Sequence, residues 1–330
     1  MSKQVKCFLV DKQADQVNRG IVQRSVAELP DGEVLIELSH SAVNYKDGLA
    51  YDAHPGVALA LPLVPGIDGT GTVLESSSDR CAAGDAVMVT GADFGTRSWG
   101  GWATYARVPG DYCVKIPDGM TARQAAIIGT AGFTAAQSFE KLQHHGVKPE
   151  DGPVLVSGAT GGVGIFAVKL LSQFGYQVIA ATGKPERHAW LKEHGASEVI
   201  DRQELIDDSK RPLLSGKWAG AIDTVGGAPL ANILRSTRSG GCVTACGLVA
   251  GHQLDTTVYP FILRGVSLQG IDSANASVDY RQHLWHRLAT DLQLQDLDSL
   301  VTEVSLDDVE SSAKLILAGK IAGRHLVNIA

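Results

Sequence analysis

The sequence predicts an α/β chain in which a doubly wound parallel sheet is joined to a second, β-rich domain. Three observations predict it. Residues 1–125 carry short β-rich runs punctuated by Gly and Pro, and from Gly129 the texture changes to alternating helices and strands. Within that second part, residues 154–171 read as a buried strand, a glycine-rich turn and an apolar helix in immediate succession. The 330 residues suit two domains, and 44% hydrophobic with 20% charged residues is the composition of an ordinary soluble globular chain.

Taken in order, residues 1–125 are expected to form a compact, partly open barrel, with strands in Glu33–Leu38, Gly71–Leu74 and Asp85–Val89. Residues 126–295 are expected to hold the wound sheet, with members at 153–157, 177–181, 197–200, 220–223, 241–245 and 266–271. Amphipathic helices are read near Asp279–Leu292 and Leu306–Ala318. A closing strand, Arg324–Ile329, is expected to return to the first domain, so that 296–330 complete it. Neither an internal repeat nor a low-complexity linker is visible.

The net charge of −7 is diffuse, and no segment supplies the clustered cations that a nucleic acid or an anionic membrane needs. No run of about 18 apolar residues occurs, and the amino terminus alternates polar and apolar residues instead of showing a signal-peptide core, so a cytoplasmic location is expected. Five scattered cysteines, Cys7, Cys81, Cys113, Cys242 and Cys246, form neither a disulfide framework nor a zinc lobe and read as core filling. The histidines at 144, 145, 283 and 286 lack cysteine or carboxylate companions at metal spacing and read as solvated helix positions.

The segment Val154 to Leu171 is a dinucleotide phosphate site in outline. Bare main-chain N–H groups reach a pyrophosphate where side chains are absent, and the opening turn of a helix adds free donors and the positive end of its dipole. The pattern G-x-G-x-x-G is met at Gly161 and Gly164, while Ala159 stands at the first place. An acidic residue ending the next strand would accept hydrogen bonds from an unphosphorylated ribose. Here the chain reads Thr182-Gly183-Lys184-Pro185-Glu186-Arg187, and Arg202 follows the third strand. A hydroxyl, open backbone and cations suit a ribose 2′-phosphate, so NADPH is favoured over NADH. The alternative is that Lys184 and Arg187 are solvated surface charges.

Further motifs stand in order along the chain: Val64-Pro65-Gly66-Ile67-Asp68-Gly69, Gly84-Asp85-Ala86-Val87, Gly100-Gly101-Trp102-Ala103 and Gly129-Thr130-Ala131-Gly132-Phe133. With them the chain resembles the medium-chain dehydrogenase/reductase superfamily over nearly its whole length. Val43-Asn44-Tyr45-Lys46-Asp47-Gly48-Leu49, Gly220-Ala221-Ile222-Asp223-Thr224 and Tyr259-Pro260-Phe261-Ile262-Leu263-Arg264 are similar to its zinc-free, quinone-oxidoreductase-like branch, and most of all to bacterial acrylyl-CoA reductases. The resemblance implies a Rossmann-type nucleotide domain, a GroES-like partly open barrel and a homodimer.

Where zinc alcohol dehydrogenases carry a ligand cysteine and Gly-His-Glu, this chain has Asn44-Tyr45 and Gly66-Ile67-Asp68. Without thiolate or imidazole no tetrahedral zinc site is expected, and alcohol oxidation becomes unfavourable. A metal-free nicotinamide site suits hydride donation to an electron-poor alkene, because the conjugated carbonyl supplies the electrophile. An enoyl thioester meets that need, and the resemblance implies reduction of a short 2-enoyl-CoA, acrylyl-CoA to propanoyl-CoA. A quinone reductase and a nicotinamide-binding protein without turnover are the alternatives.

Tyr45 is the expected proton donor or enolate hydrogen-bond donor, with packing on the nicotinamide as its other reading. Asn44 and Asp47 flank it, to orient substrate or to cap the helix that begins there, Asp47 best as a helix-start residue. Asp68 reads as a turn residue that bonds local backbone. Carried over by motif, Thr160, Gly161, Gly162 and Val163 meet the pyrophosphate, and Thr182, Gly183, Lys184 and Arg202 the adenosine end. Leu248, Ile262 and Ser273 fall near the nicotinamide half. Arg324 is placed at a cofactor phosphate or, alternatively, at the surface.

Overall fold

Alternating apolar and polar residues at the start of the chain build a hairpin. β1 (Gln4–Gln13) pairs antiparallel with β2 (Gln16–Ser25), from Gln4 opposite Ser25 to Gln13 opposite Gln16. β3 (Val34–Val43) leads into α1 (Tyr45–Tyr51), a helix of two turns, and the chain continues through β4 (Asp68–Ser76), β5 (Ala86–Thr90), β6 (Tyr105–Val108) and β7 (Cys113–Lys115). The three expected runs of this region correspond to β3, β4 and β5. The hairpin was not among them. The computed structural model describes residues 3–14 and 16–329.

α2 (Ala122–His145) follows and is broken at Gly129, whose φ of 48° and ψ of −158° are not helical. Then come β8 (Val154–Val156), α3 (Gly162–Gln173), β9 (Val178–Thr182), α4 (His188–Glu193), β10 (Glu198–Asp201), β11 (Trp218–Asp223), α5 (Gly227–Arg235), β12 (Thr237–Ala245), α6 (Tyr259–Arg264) and β13 (Ser267–Gly270). All six strands expected from the sequence are present. They pair in parallel in the order β10-β9-β8-β11-β12-β13. With the order reversing at β8, the carboxyl ends of the strands form the edge at which such sheets bind ligands.

α7 (Val278–Ala289), β14 (Val301–Ser305), α8 (Val309–Leu317) and β15 (Arg324–Asn328) close the chain. β15 lies antiparallel to β3, with His325 opposite Val43, and parallel to β14. The larger sheet of the first unit therefore runs β14-β15-β3-β4-β5-β7, with β6 on β3. Its core is filled by Phe8, Leu35, Ile36, Trp102 and Val327, Phe8 meeting the Trp102 ring edge-on at 5.9 Å.

Two compact units result, one of residues up to Phe133 and from Ser273 onward, the other Thr134–Asp272. The sequence puts the changeovers at 125/126 and 295/296; the structure moves the first into a helix and the second to the start of the loop before α7. The reason is packing. Trp285 of α7 stacks on Phe133 with ring centroids 6.1 Å apart, which holds α7 in the first unit. Cys7, Cys81, Cys113 and Cys242 are buried free thiols and Cys246 is half-buried. No helix among the described residues is long and apolar enough to cross a membrane.

Candidate active site

In the second unit, the edge formed by β8, β9 and β10 gathers the residues singled out for the nucleotide. Parallel pairing sets Val156 beside Ala180 and Asp201 beside Thr182, so the segments that follow these strands emerge together. α3 starts on Gly161, an N-cap without a side chain to bond the opening turn, and its first amides, Gly162 and Val163 among them, are the donors a helix start leaves over. Gly164 has no room for a side chain: an added Cβ would lie 2.4 Å from the Gly158 carbonyl oxygen. The tight turn itself is made one residue before the expected place. Gly158 takes φ +58°, while Ala159 is buried and donates its N–H to Ala181.

Thr160 and Thr182 are buried, their hydroxyls 3.3 Å apart, and the Lys184 N–H donates to Thr182 Oγ1. Burial draws the Lys184 ammonium below its usual value, with Glu186 opposing and Arg187 adding to the fall. Gly183 is exposed, and a Cβ there would come within 2.7 Å of Arg202 Cδ and Nε; the arginine thus lies across bare backbone. Leu248 and Ile262 are 57% and 68% exposed in the segments after β12 and in α6. A buried latch that sequence reasoning missed fixes the loop ends. Ser157 Oγ donates to Asp223 Oδ1 at 2.7 Å, the Gly226 N–H donates to Asp223 Oδ2, and the Thr224 N–H donates to Ser157 Oγ. Burial raises the Asp223 carboxyl. Its signal was an acid closing an otherwise apolar strand.

In the first unit, Tyr45 opens α1, half-buried, its phenol without a hydrogen-bond partner among the described residues. Around it lies a connected polar cluster. Asp47, fully buried, accepts from the Asn44 N–H (2.7 Å), the Asn44 side-chain amide (3.1 Å), and the Gly66 and Ile67 N–H groups (3.1 and 2.7 Å). Burial first, and then the nearby Asp68 carboxylate, push Asp47 up to about 7 against those donors. Asp68, 1% exposed, accepts from the Thr130 N–H and hydroxyl (2.9 and 2.6 Å), from Asn44 Nδ2 (2.8 Å) and from Arg324 Nη2 (3.3 Å).

These contacts correct two readings and agree with a third. Arg324 is neither a surface cation nor turned to a cofactor phosphate. It is 2% exposed and spends Nε on the Ile127 carbonyl, Nη1 on Asn44 Oδ1 and Nη2 on Asp68. Asp68 is not a local turn residue, since its partners lie 62 and 256 positions away. Asn44 and Asp47 bond to one another and to the cluster, in keeping with the helix-start role. Ser273, half-buried in the loop after β13, belongs by packing to the first unit. Thr130 was quoted from the sequence only as part of a landmark.

The comparisons with known proteins agree with this arrangement. A family profile described as zinc-binding dehydrogenase matches residues 162–290, and one described as the alcohol dehydrogenase GroES-like domain matches residues 30–118. The putative quinone oxidoreductase YhfP of Bacillus subtilis is 44% identical over 330 residues, covering all of both chains. The chain belongs to the medium-chain dehydrogenase/reductase superfamily. In it the β-rich unit is the GroES-like domain and the parallel sheet the Rossmann domain. The probable acrylyl-CoA reductase AcuI of Escherichia coli is 43% identical over 98% of this chain and 100% of its own. Among solved structures, Escherichia coli K-12 YhdH with bound NADPH superposes with a TM-score of 0.95 at 43% identity, covering 98% of this chain and all of that one. Bacillus subtilis YhfP with NAD bound superposes at 0.96 and 43%, covering 99% and 100%. The chain is an NAD(P)-dependent oxidoreductase of this superfamily.

The zinc named by the first profile does not fit. Its expected places hold Asn44, Ile67 and Asp68, which supply no thiolate or imidazole, and both Asp68 oxygens are occupied by protein donors. No group of three or more His, Cys, Asp or Glu among the described residues could hold a metal ion.

Proposed function

We infer that this chain reduces the carbon–carbon double bond of a short 2-enoyl-CoA with NADPH, acrylyl-CoA to propanoyl-CoA being the simplest case. One observation carries the reading: full-length identity of 42–43% to acrylyl-CoA reductases, in a chain whose metal places are filled by residues bonded to one another. When bound, the coenzyme supplies the hydride. The residues present fit it. The α3 amides at Gly162 and Val163, with Thr160 and Gly161, would hold the pyrophosphate, and the bare Gly183 backbone under Arg202, with Thr182 and Lys184, would hold the ribose 2′-phosphate. Leu248, Ile262 and Ser273 would bound the nicotinamide half.

An enoyl thioester gathers negative charge on its carbonyl oxygen as its β-carbon is reduced, and its α-carbon then needs a proton. Tyr45 serves the oxygen as a hydrogen-bond donor or gives that proton, its phenol being uncommitted among the described residues. Self-association as a homodimer belongs to the same reading, and sedimentation tests it. The similarity to YhfP keeps a quinone reductase as the second reading. The two separate by NADPH consumption with acrylyl-CoA and with a simple benzoquinone. Faster turnover of the thioester is expected, falling about 100-fold in Tyr45→Phe. Faster quinone turnover would transfer the assignment.

A further inference from the structure

Two charges, Asp68 and Arg324, lie buried side by side in the first unit. Asp68 and Arg324 are tolerated there because every polar atom is satisfied, the condition under which a buried ion pair survives. The pair is built in closely. A Cβ on Gly129 would fall 2.4 Å from Asp68 Oδ2 and 2.8 Å from Arg324 Nη2, which explains both the glycine and the break it puts in α2.

Arg324 bonds in three directions, and each bond reaches a different element: the Ile127 carbonyl in α2, Asp68 at the head of β4, and Asn44 before α1. Only a planar guanidinium fork supplies donors at such angles. Asn44 is the member that connects this pair to the active-site helix. Its Oδ1 accepts from Arg324 and its Nδ2 donates to Asp68 and Asp47, so both ends of the amide are fixed while its own N–H is held by Asp47. The next residue is Tyr45, at the first position of α1, where the N-cap's backbone angles (φ −113°, ψ 163°) set the direction of departure.

The geometry points to Arg324 and Asp68 as positioning residues for Tyr45, acting through the Asn44 amide. This rests on the reading of Tyr45 as the hydrogen-bond donor of the reaction. Arg324 then acts on turnover at bound substrate more than on coenzyme affinity, because each of its three nitrogens bonds inside the first unit.

The test is a double-mutant cycle on the full chain with Tyr45→Phe, Arg324→Gln and their combination. The readouts are NADPH dissociation constants from fluorescence titration, and kcat and KM for acrylyl-CoA. Arg324→Gln is expected to lower kcat about 10- to 100-fold, the scale of a misplaced catalytic group, with the NADPH constant within about 2-fold of wild type. In the Tyr45→Phe background the same change is expected to cost less than about 3-fold, since the group it positions is gone. A 10-fold weaker NADPH constant with kcat intact would make Arg324 a coenzyme contact and overturn the proposal, as would costs that simply multiply in the double variant. Tyr45→Phe turning over like wild type would instead remove the Tyr45 reading, and this proposal with it. If Arg324→Gln does not fold, Asn44→Ser leaves the ion pair in place and cuts the same link; it is expected to show the same coupling to Tyr45, and independence from Tyr45 would overturn the proposal.

Discussion

Gly129→Ala would set a methyl group 2.4 Å from a buried carboxylate oxygen on a backbone with φ +48°, two penalties at one position. A loss of about 2–4 kcal/mol is expected, read as a lower denaturant midpoint at unchanged slope. Asp47 gives a pH-dependent counterpart. An acid whose folded value lies above its unfolded value binds more protons when folded, so it opposes folding progressively as pH rises from 3.8 to about 7. Wild type should therefore lose stability relative to Asp47→Asn across that window and hold a constant difference above it. Urea midpoints at stepped pH check this, and a difference that grew in wild type's favour would contradict it. These residues also mark what sequence could show. Asn44-Tyr45-Lys46-Asp47 announced a helix start because capping is local, but Asp68 looked like a turn residue because its acid-base partner is 256 positions away.

At the scale of elements, the strand, glycine turn and helix of β8 and α3 were legible because each has a short-range signature. The fingerprint's first glycine place can hold Ala159 for a physical reason: the backbone needs one positive φ, which Gly158 provides while Ala159 is buried. Gly164 performs the close packing assigned to the last glycine. Gly164→Val is expected to cost about 1–3 kcal/mol by overpacking and to abolish coenzyme binding by lifting α3 off the loop, measured by denaturation and NADPH titration together. Arg202 tests the carboxyl edge of β10. Its side chain lies over Gly183, so Arg202→Ala should weaken NADPH about 10- to 100-fold, the worth of a charge-assisted hydrogen bond, and leave NADH affinity nearly unchanged. Equal losses for both coenzymes would refute a 2′-phosphate contact.

For the whole molecule, the change of texture at Gly129 revealed two kinds of architecture, and the closing strand was visible as an apolar run. Where that strand pairs was not deducible from pattern, because β15 meets β3 across more than 280 residues of chain and register leaves no local trace. The placement carries a consequence for stability. Leu326 and Val327 are fully buried and Ile329 nearly so, each worth about 1.5–3 kcal/mol. Together they are comparable with the ~5–15 kcal/mol by which a domain is stable. Truncation after Gly323 also takes away the cation that faces Asp68 and leaves β3 with an open edge toward β14. The shortened chain is expected to lose cooperative unfolding of the first unit and to aggregate, whereas full-length Arg324→Gln, which loses the charge but keeps the strand, should still show a single sharp denaturant transition. A truncated chain that unfolds as cooperatively as the intact one would show that both β15 and the ion pair are dispensable to the sheet.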